Sequence, residues 1–176
     1  MNYNYFSLIA LLLFNQTVIA QTCSPDTIPS TAPTTRYFVN SKGTVLDKKT
    51  GLMWKQCSEG LSGAQCLGAP IAFTWQGALL RAQAVNASGF AGYKDWRLPN
   101  IKELNSITEY QCESPAVNTS VFPNTQYDSS YYWSSTQNDI NDVWVVKFEV
   151  GRVDTVYSKT YLPENIPGYV RLVRGR

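Results

Sequence analysis

Six basic residues crowd the end of the chain: Lys147, Arg152, Lys159, Arg171, Arg174 and Arg176. On neighbouring strands they would form a patch, and the planar fork of arginine matches the oxygens of a sulfate, phosphate or carboxylate two at a time. The same residues also suit an ordinary solvated face. Just before them, the run Gln137-Asn138-Asp139-Ile140-Asn141-Asp142 offers hard oxygen donors. Asp139, Asn141 and Asp142 could hold Ca²⁺ there, and they equally favour a polar turn. Histidine is absent from all 176 residues. That removes the Ser-His-Asp and Cys-His nucleophile arrangements, His-ligated zinc and the commonest general base. The expectation is a binding protein without catalytic residues and without an obligatory cofactor.

Net charge is only +2, so no nucleic-acid partner is expected. Aromatic residues make up 13%, which suits a packed β-rich domain and a carbohydrate-binding surface alike. The apolar run over 5–14, followed by Thr17-Val18-Ile19-Ala20, reads as an export signal over 1–20. No other stretch is long and apolar enough to span a bilayer, so a secreted, cell-surface or periplasmic location is expected.

All four cysteines follow that signal. An even count in an exported chain implies disulfides, and four cysteines allow three pairings. Cys57 with Cys66 is favoured, because the short loop between them carries Gly60 and Gly63 and turns back easily. Cys23 with Cys112 is what remains.

Elements to position these groups are legible in the periodicity. Residues 21–35 are rich in Pro, Ser and Thr and read as an extended, unpacked linker. The domain then runs over 36–176. Strands are predicted over 37–39, 44–47 and 52–55, with turns at Asn40-Ser41-Lys42-Gly43 and Asp47-Lys48-Lys49-Thr50-Gly51. A first helix starts after Thr74 and places Trp75, Ala78, Leu79, Ala82 and Val85 on one face. A second follows Pro99, with Asn100 as cap, Glu103 as its capping-box partner and Ile101, Leu104 and Ile107 as the buried stripe. Strands over 131–133, 143–148, 152–156 and 169–173 complete an α+β pattern of two helices on antiparallel sheet. Trp96, Trp133 and Trp144 read as core, Arg97 as a structural arginine and Glu103 as a capping carboxylate.

Several blocks fall in a fixed order: Thr50-Gly51-Leu52-Met53-Trp54, Thr74-Trp75, Ala91-Gly92-Tyr93-Lys94-Asp95-Trp96-Arg97-Leu98-Pro99-Asn100, Phe122-Pro123, Tyr132-Trp133-Ser134-Ser135 and Val170-Arg171-Leu172-Val173-Arg174-Gly175. With these the chain resembles the Lcl C-terminal domain family, and more distantly the C-type-lectin-like fold that includes formylglycine-generating enzymes. The resemblance implies an exported bacterial adhesion module. Its namesake is the terminal domain of a collagen-like adhesin associated with sulfated glycosaminoglycans, so a glycan or sulfated polysaccharide is the expected partner. No Gly-X-Y tract precedes the domain here, so trimerisation does not carry over. The enzymatic branch needs a reactive cysteine pair near the C-terminal strands, and no cysteine follows Cys112. A structural subunit of a surface appendage is the alternative expectation.

Overall fold

The computed structural model describes residues 21–139, 141–157 and 168–175. The expected export signal, Ile140, Lys159 and Arg176 lie outside them.

The chain enters through β1 (Thr22–Cys23) and an extended stretch, then forms a meander of β2 (Tyr37–Asn40), β3 (Thr44–Asp47) and β4 (Met53–Lys55). Asn40 caps the first turn by accepting the Lys42 backbone N–H, and Gly43 supplies the positive φ of 77° that the reversal needs. At the second turn the buried Asp47 carboxylate accepts from Lys49 N–H and Thr50 O–H and is gripped by the Arg36 guanidinium. A small hairpin, β5 (Leu61–Ser62) and β6 (Leu67–Gly68), precedes α1 (Trp75–Ser88). As expected, Thr74 caps α1 through Gly77 N–H, and Gly89 ends it in the left-handed region.

Next come α2 (Ile101–Asn105), β7 (Cys112–Glu113), β8 (Tyr131–Gln137), β9 (Asp142–Lys147), β10 (Arg152–Tyr157), β11 (Gly168–Tyr169) and β12 (Val173–Arg174). The predicted capping box is present, with Asn100 and Glu103 each accepting the other's backbone N–H. α2 is shorter than its apolar stripe suggests. The Ser106 N–H is shared among three carbonyls at its C-terminus, and Thr108 bridges to Val117 instead of continuing the helix. Ile107 is buried all the same.

Two four-stranded sheets carry the fold, in the orders β10-β9-β8-β11 and β12-β4-β3-β2. The architecture is α+β, as predicted. The first sheet has a core on each face. Tyr132 and Val146 face a core shared with Val45, Trp54, Phe122, Leu104 of α2 and Ile107 just beyond it. Tyr131, Trp133, Val143 and Val145 face a second core built with Ala78, Ala82 and Val85 of α1, together with Trp96 and Leu98.

Three expectations are corrected. The strand predicted over 169–173 is two strands: β11 lies parallel to β8 in one sheet, and β12 lies antiparallel to β4 in the other. The unpacked linker is instead laid against the domain. Ala32 is fully buried, and the Glu109 carboxylate accepts from Ser30 O–H and from the Thr31 and Ala32 N–H groups. Trp144 is half-buried rather than enclosed. Both expected disulfides are present, Cys57–Cys66 and Cys23–Cys112; the second is flanked by pairing of β1 with β7.

Candidate functional site

The structure does not gather the basic residues into one patch. Lys147 and Arg152 are cross-strand partners on the β9–β10 hairpin. Both donate to Asp154 Oδ2 at 2.8 Å, so two cations share one acid on a partly exposed surface. Arg174 lies in the other sheet. It pairs with Asp95 at 2.7 Å, and its guanidinium stacks 3.8 Å from the centre of the Tyr93 ring. The hydrogen bond from Arg174 holds the Asp95 carboxyl below its ordinary value.

Arg171 is a correction. It is 0% exposed, so its guanidinium cannot meet a solute. Instead it donates to Gln56 O, to Thr125 Oγ1 at 2.8 Å and to Ser58 Oγ at 3.2 Å, beside the Phe122 ring at 4.8 Å. Burial works against its charge and lowers its pKa from the ordinary value. The residue is a core crosspiece: it ties the β11–β12 stretch to the residues that follow β4.

The expected calcium loop has the geometry of a polar turn. Asp139 Oδ1 accepts the backbone N–H groups of Asn141 at 2.7 Å and Asp142 at 3.1 Å. Asn138 N–H returns to the Asp142 carbonyl at 2.9 Å. Among the described residues, no group of three or more His, Cys, Asp or Glu side chains is placed to hold a metal ion.

What the fold does assemble is a shallow hollow of about 250 Å³ between α2 and the β9–β10 hairpin, lined by Ile101, Lys102, Asn105, Trp144 and Val153. Its position follows from the local sequence. Pro99 and the capping box start α2 at a fixed point, Ile101 N–H is anchored to Thr136 Oγ1 at 2.9 Å, and Arg97 clamps Glu103 with two bonds of 2.7 Å. α2 is only five residues long, so it stops before it covers Trp144. Asn105 Oδ1 accepts from Tyr110 O–H at 3.0 Å and from Thr108 O–H at 3.3 Å. That fixes the carboxamide and leaves its Nδ2 without a protein acceptor among the described residues. Lys102 is exposed and has no carboxylate partner among them. An indole, two aliphatic side chains, an amide donor and an ammonium thus share one small surface. Strand alternation alone pointed Trp144 inward; only the early end of α2 shows that it is uncovered.

An open groove of about 740 Å³ along α1 is a weaker candidate. Its Asn86, Arg97, Asn100 and Glu103 side chains are all engaged in holding the backbone or one another. Its indole, Trp96, is 2% exposed.

The Lcl C-terminal domain model matches residues 43–174 of the chain. No curated protein matches it.

Proposed function

The chain belongs to the Lcl C-terminal domain family, and from that premise we propose that it is an exported, non-catalytic binding module for glycans, acidic sugars included. The observation that carries the reading is the Trp144 hollow. A pyranose ring has an apolar face that stacks on an indole, and its hydroxyls need fixed donors at the edge. Trp144, Ile101 and Val153 offer the first, and Asn105 Nδ2 the second. Lys102 at the rim favours a carboxylate or sulfate on the sugar.

Absence of catalysis is supported by the way reactive groups are used. All four cysteines are in disulfides, and histidine is absent. Asp47, Glu59 and Glu103 are held in ion pairs, and Glu109 caps backbone N–H groups. Export is supported by the two disulfides. Among the described residues no helix is long and apolar enough to cross a membrane. A C-type-lectin-like fold is our reading of the two helices, the paired strands near the two ends and the disulfide between β1 and β7.

A glycan array of sulfated, uronic and neutral oligosaccharides at low salt tests the proposal, followed by heparin-column retention of wild type, Trp144→Ala and Lys102→Ala. Binding lost in Trp144→Ala, and made salt-resistant but weaker in Lys102→Ala, supports it. A blank array, or Trp144→Ala binding as wild type does, sinks it.

The assembly-subunit reading is kept for one observation. β2 is an edge strand that leaves Phe38 58% and Val39 42% exposed, and apolar edges pair readily with other chains. Stoichiometric co-purification of a partner, lost in Phe38→Lys, would favour it.

A further inference from the structure

A second cavity lies away from the hollow, between the β2–β3 turn, the Cys57–Cys66 loop and Phe90. It encloses about 370 Å³, within the ~300–1,000 Å³ range of small-molecule sites. Leu61 and Cys57, packed with its disulfide partner Cys66, form a buried floor. Phe90 stands as a wall, its ring tip against the turn: a Cβ built on Gly43 would meet Phe90 Cζ at 3.4 Å. Val39 and Ala64 form an exposed rim.

The charged groups on this cavity are of one sign. Lys42 and Lys55 line it, and no Asp or Glu does. Lys55 is 8% exposed and rigidly placed. Its ammonium donates to the buried Glu59 carboxylate at 2.5 Å and sits 4.4 Å from the centre of the Phe90 ring. Arg81 holds the other carboxylate oxygen of Glu59 at 2.7 Å. An ammonium has three donors, and the bond to Glu59 uses one of them. Lys42 at the mouth is exposed and has no carboxylate partner among the described residues.

We propose that this cavity binds a small amphiphilic anion, with an alkyl or aryl body between Phe90, Leu61 and the disulfide and a carboxylate or sulfonate head at Lys42 and Lys55. A neutral apolar guest would leave the lysine donors unused. A cation would meet the exposed Lys42 ammonium at the mouth and no carboxylate on the lining. The cavity shares no lining residue with the Trp144 hollow, so the inference stands or falls apart from the glycan reading.

The test is calorimetric titration of the full mature chain with monomeric octanoate, octan-1-ol and octylamine. Octanoate should bind one to one. Octylamine should bind at least about tenfold more weakly, and Lys42→Ala should weaken octanoate by about fivefold, the equivalent of one exposed charge contact. Ala64→Trp, placed on an exposed rim position, should block octanoate while circular dichroism and the melting temperature stay as in wild type. Trp144→Ala should bind octanoate as wild type does. No octanoate binding, octanoate and octan-1-ol binding equally with Lys42→Ala without effect, or binding retained in a folded Ala64→Trp each overturns the proposal.

Discussion

The carboxylate of Glu103 and the guanidinium of Arg97 meet fork to fork, Nη1 to Oε2 and Nη2 to Oε1, both at 2.7 Å. The same carboxylate closes the capping box of α2 on Asn100 N–H at 2.8 Å. One side chain therefore fixes the helix that borders the Trp144 hollow and joins it to the strand-like stretch around Arg97, which bridges to Val173.

This relationship has a pH signature. Burial pushes the Glu103 carboxyl up, but the bonds from Arg97 and Asn100 outweigh it and hold the group below its ordinary value. Asp47 and Glu109 behave alike: burial raises each, but bonds from Arg36 and Thr50, or from Ser30 and backbone N–H groups, outweigh it and leave the group below its ordinary value. A carboxylate depressed in the folded state contributes stability that is present above its unfolded pKa, about 4, and lost as pH falls through the folded value. Urea midpoints should thus be flat from pH 7 to about 5 and fall steeply below about 4. Glu103→Gln, which keeps the cap but not the charge, should cost about 1 kcal/mol at pH 7 and make the acid limb shallower. An unchanged acid limb would show that the pair contributes nothing in solution.

Arg171→Ala should cost about 3–5 kcal/mol, because it opens a cavity and leaves the Gln56 carbonyl and the Thr125 hydroxyl without their donor. Arg171→Lys should not rescue it, since an ammonium cannot span the same acceptors in a plane. Arg152→Ala, at a side chain 61% exposed, should change stability by less than about 0.5 kcal/mol. Chemical denaturation of the three variants checks this. An Arg171→Ala protein with wild-type stability would contradict the crosspiece role.

The two disulfides should differ in their effect. Cys23–Cys112 closes 89 positions and Cys57–Cys66 closes 9. Loop entropy then assigns about 4.5 kcal/mol to the first and about 2.5 to the second. Paired Cys→Ala variants, compared by denaturant midpoint, should rank in that order. Loss of the short bridge should also release the floor of the Phe90 cavity while glycan retention persists.

Gly168 is enclosed by aromatic rings. A Cβ there would lie 2.4 Å from Trp133 Nε1 and 2.7 Å from the Tyr131 ring. Gly168→Ala should therefore destabilise by at least about 2 kcal/mol, an overpacking effect. Near-ultraviolet circular dichroism, which reports the tryptophan environment, should change with it. A neutral substitution would mean that the parallel β11–β8 contact is looser than described.

The first half of the fold was largely legible, because its signals are local. Gly43 and Gly51 mark turns, Asn100 and Glu103 sit three apart, and Ala78, Ala82 and Val85 repeat at helical spacing. The bury-or-expose decisions at the C-terminal strands were not legible. Val170-Arg171-Leu172-Val173 reads as a regular strand with arginine outward, yet the chain there crosses between sheets and all four residues are buried. The acceptors of Arg171 lie at positions 56, 58 and 125, so nothing near it in sequence reveals them. Residues 21–35 misled by composition: Ser30 docks on Glu109 through its hydroxyl and Thr31 and Ala32 through their backbone N–H groups, contacts that hydropathy does not register. The Trp144 hollow depends on a helix stopping early, and its apolar stripe runs on past that stop to Ile107.

The stretch from Gly168 to Arg174 supplies an outer strand to each sheet, and Arg171 reaches a carbonyl 116 positions upstream. On a growing polypeptide, the first sheet lacks its full complement until residue 169 has been added, and the second until residue 174. Contacts of such long range also form slowly. Folding of each sheet is consequently completed from its C-terminal edge, by residues that are made near the end of synthesis.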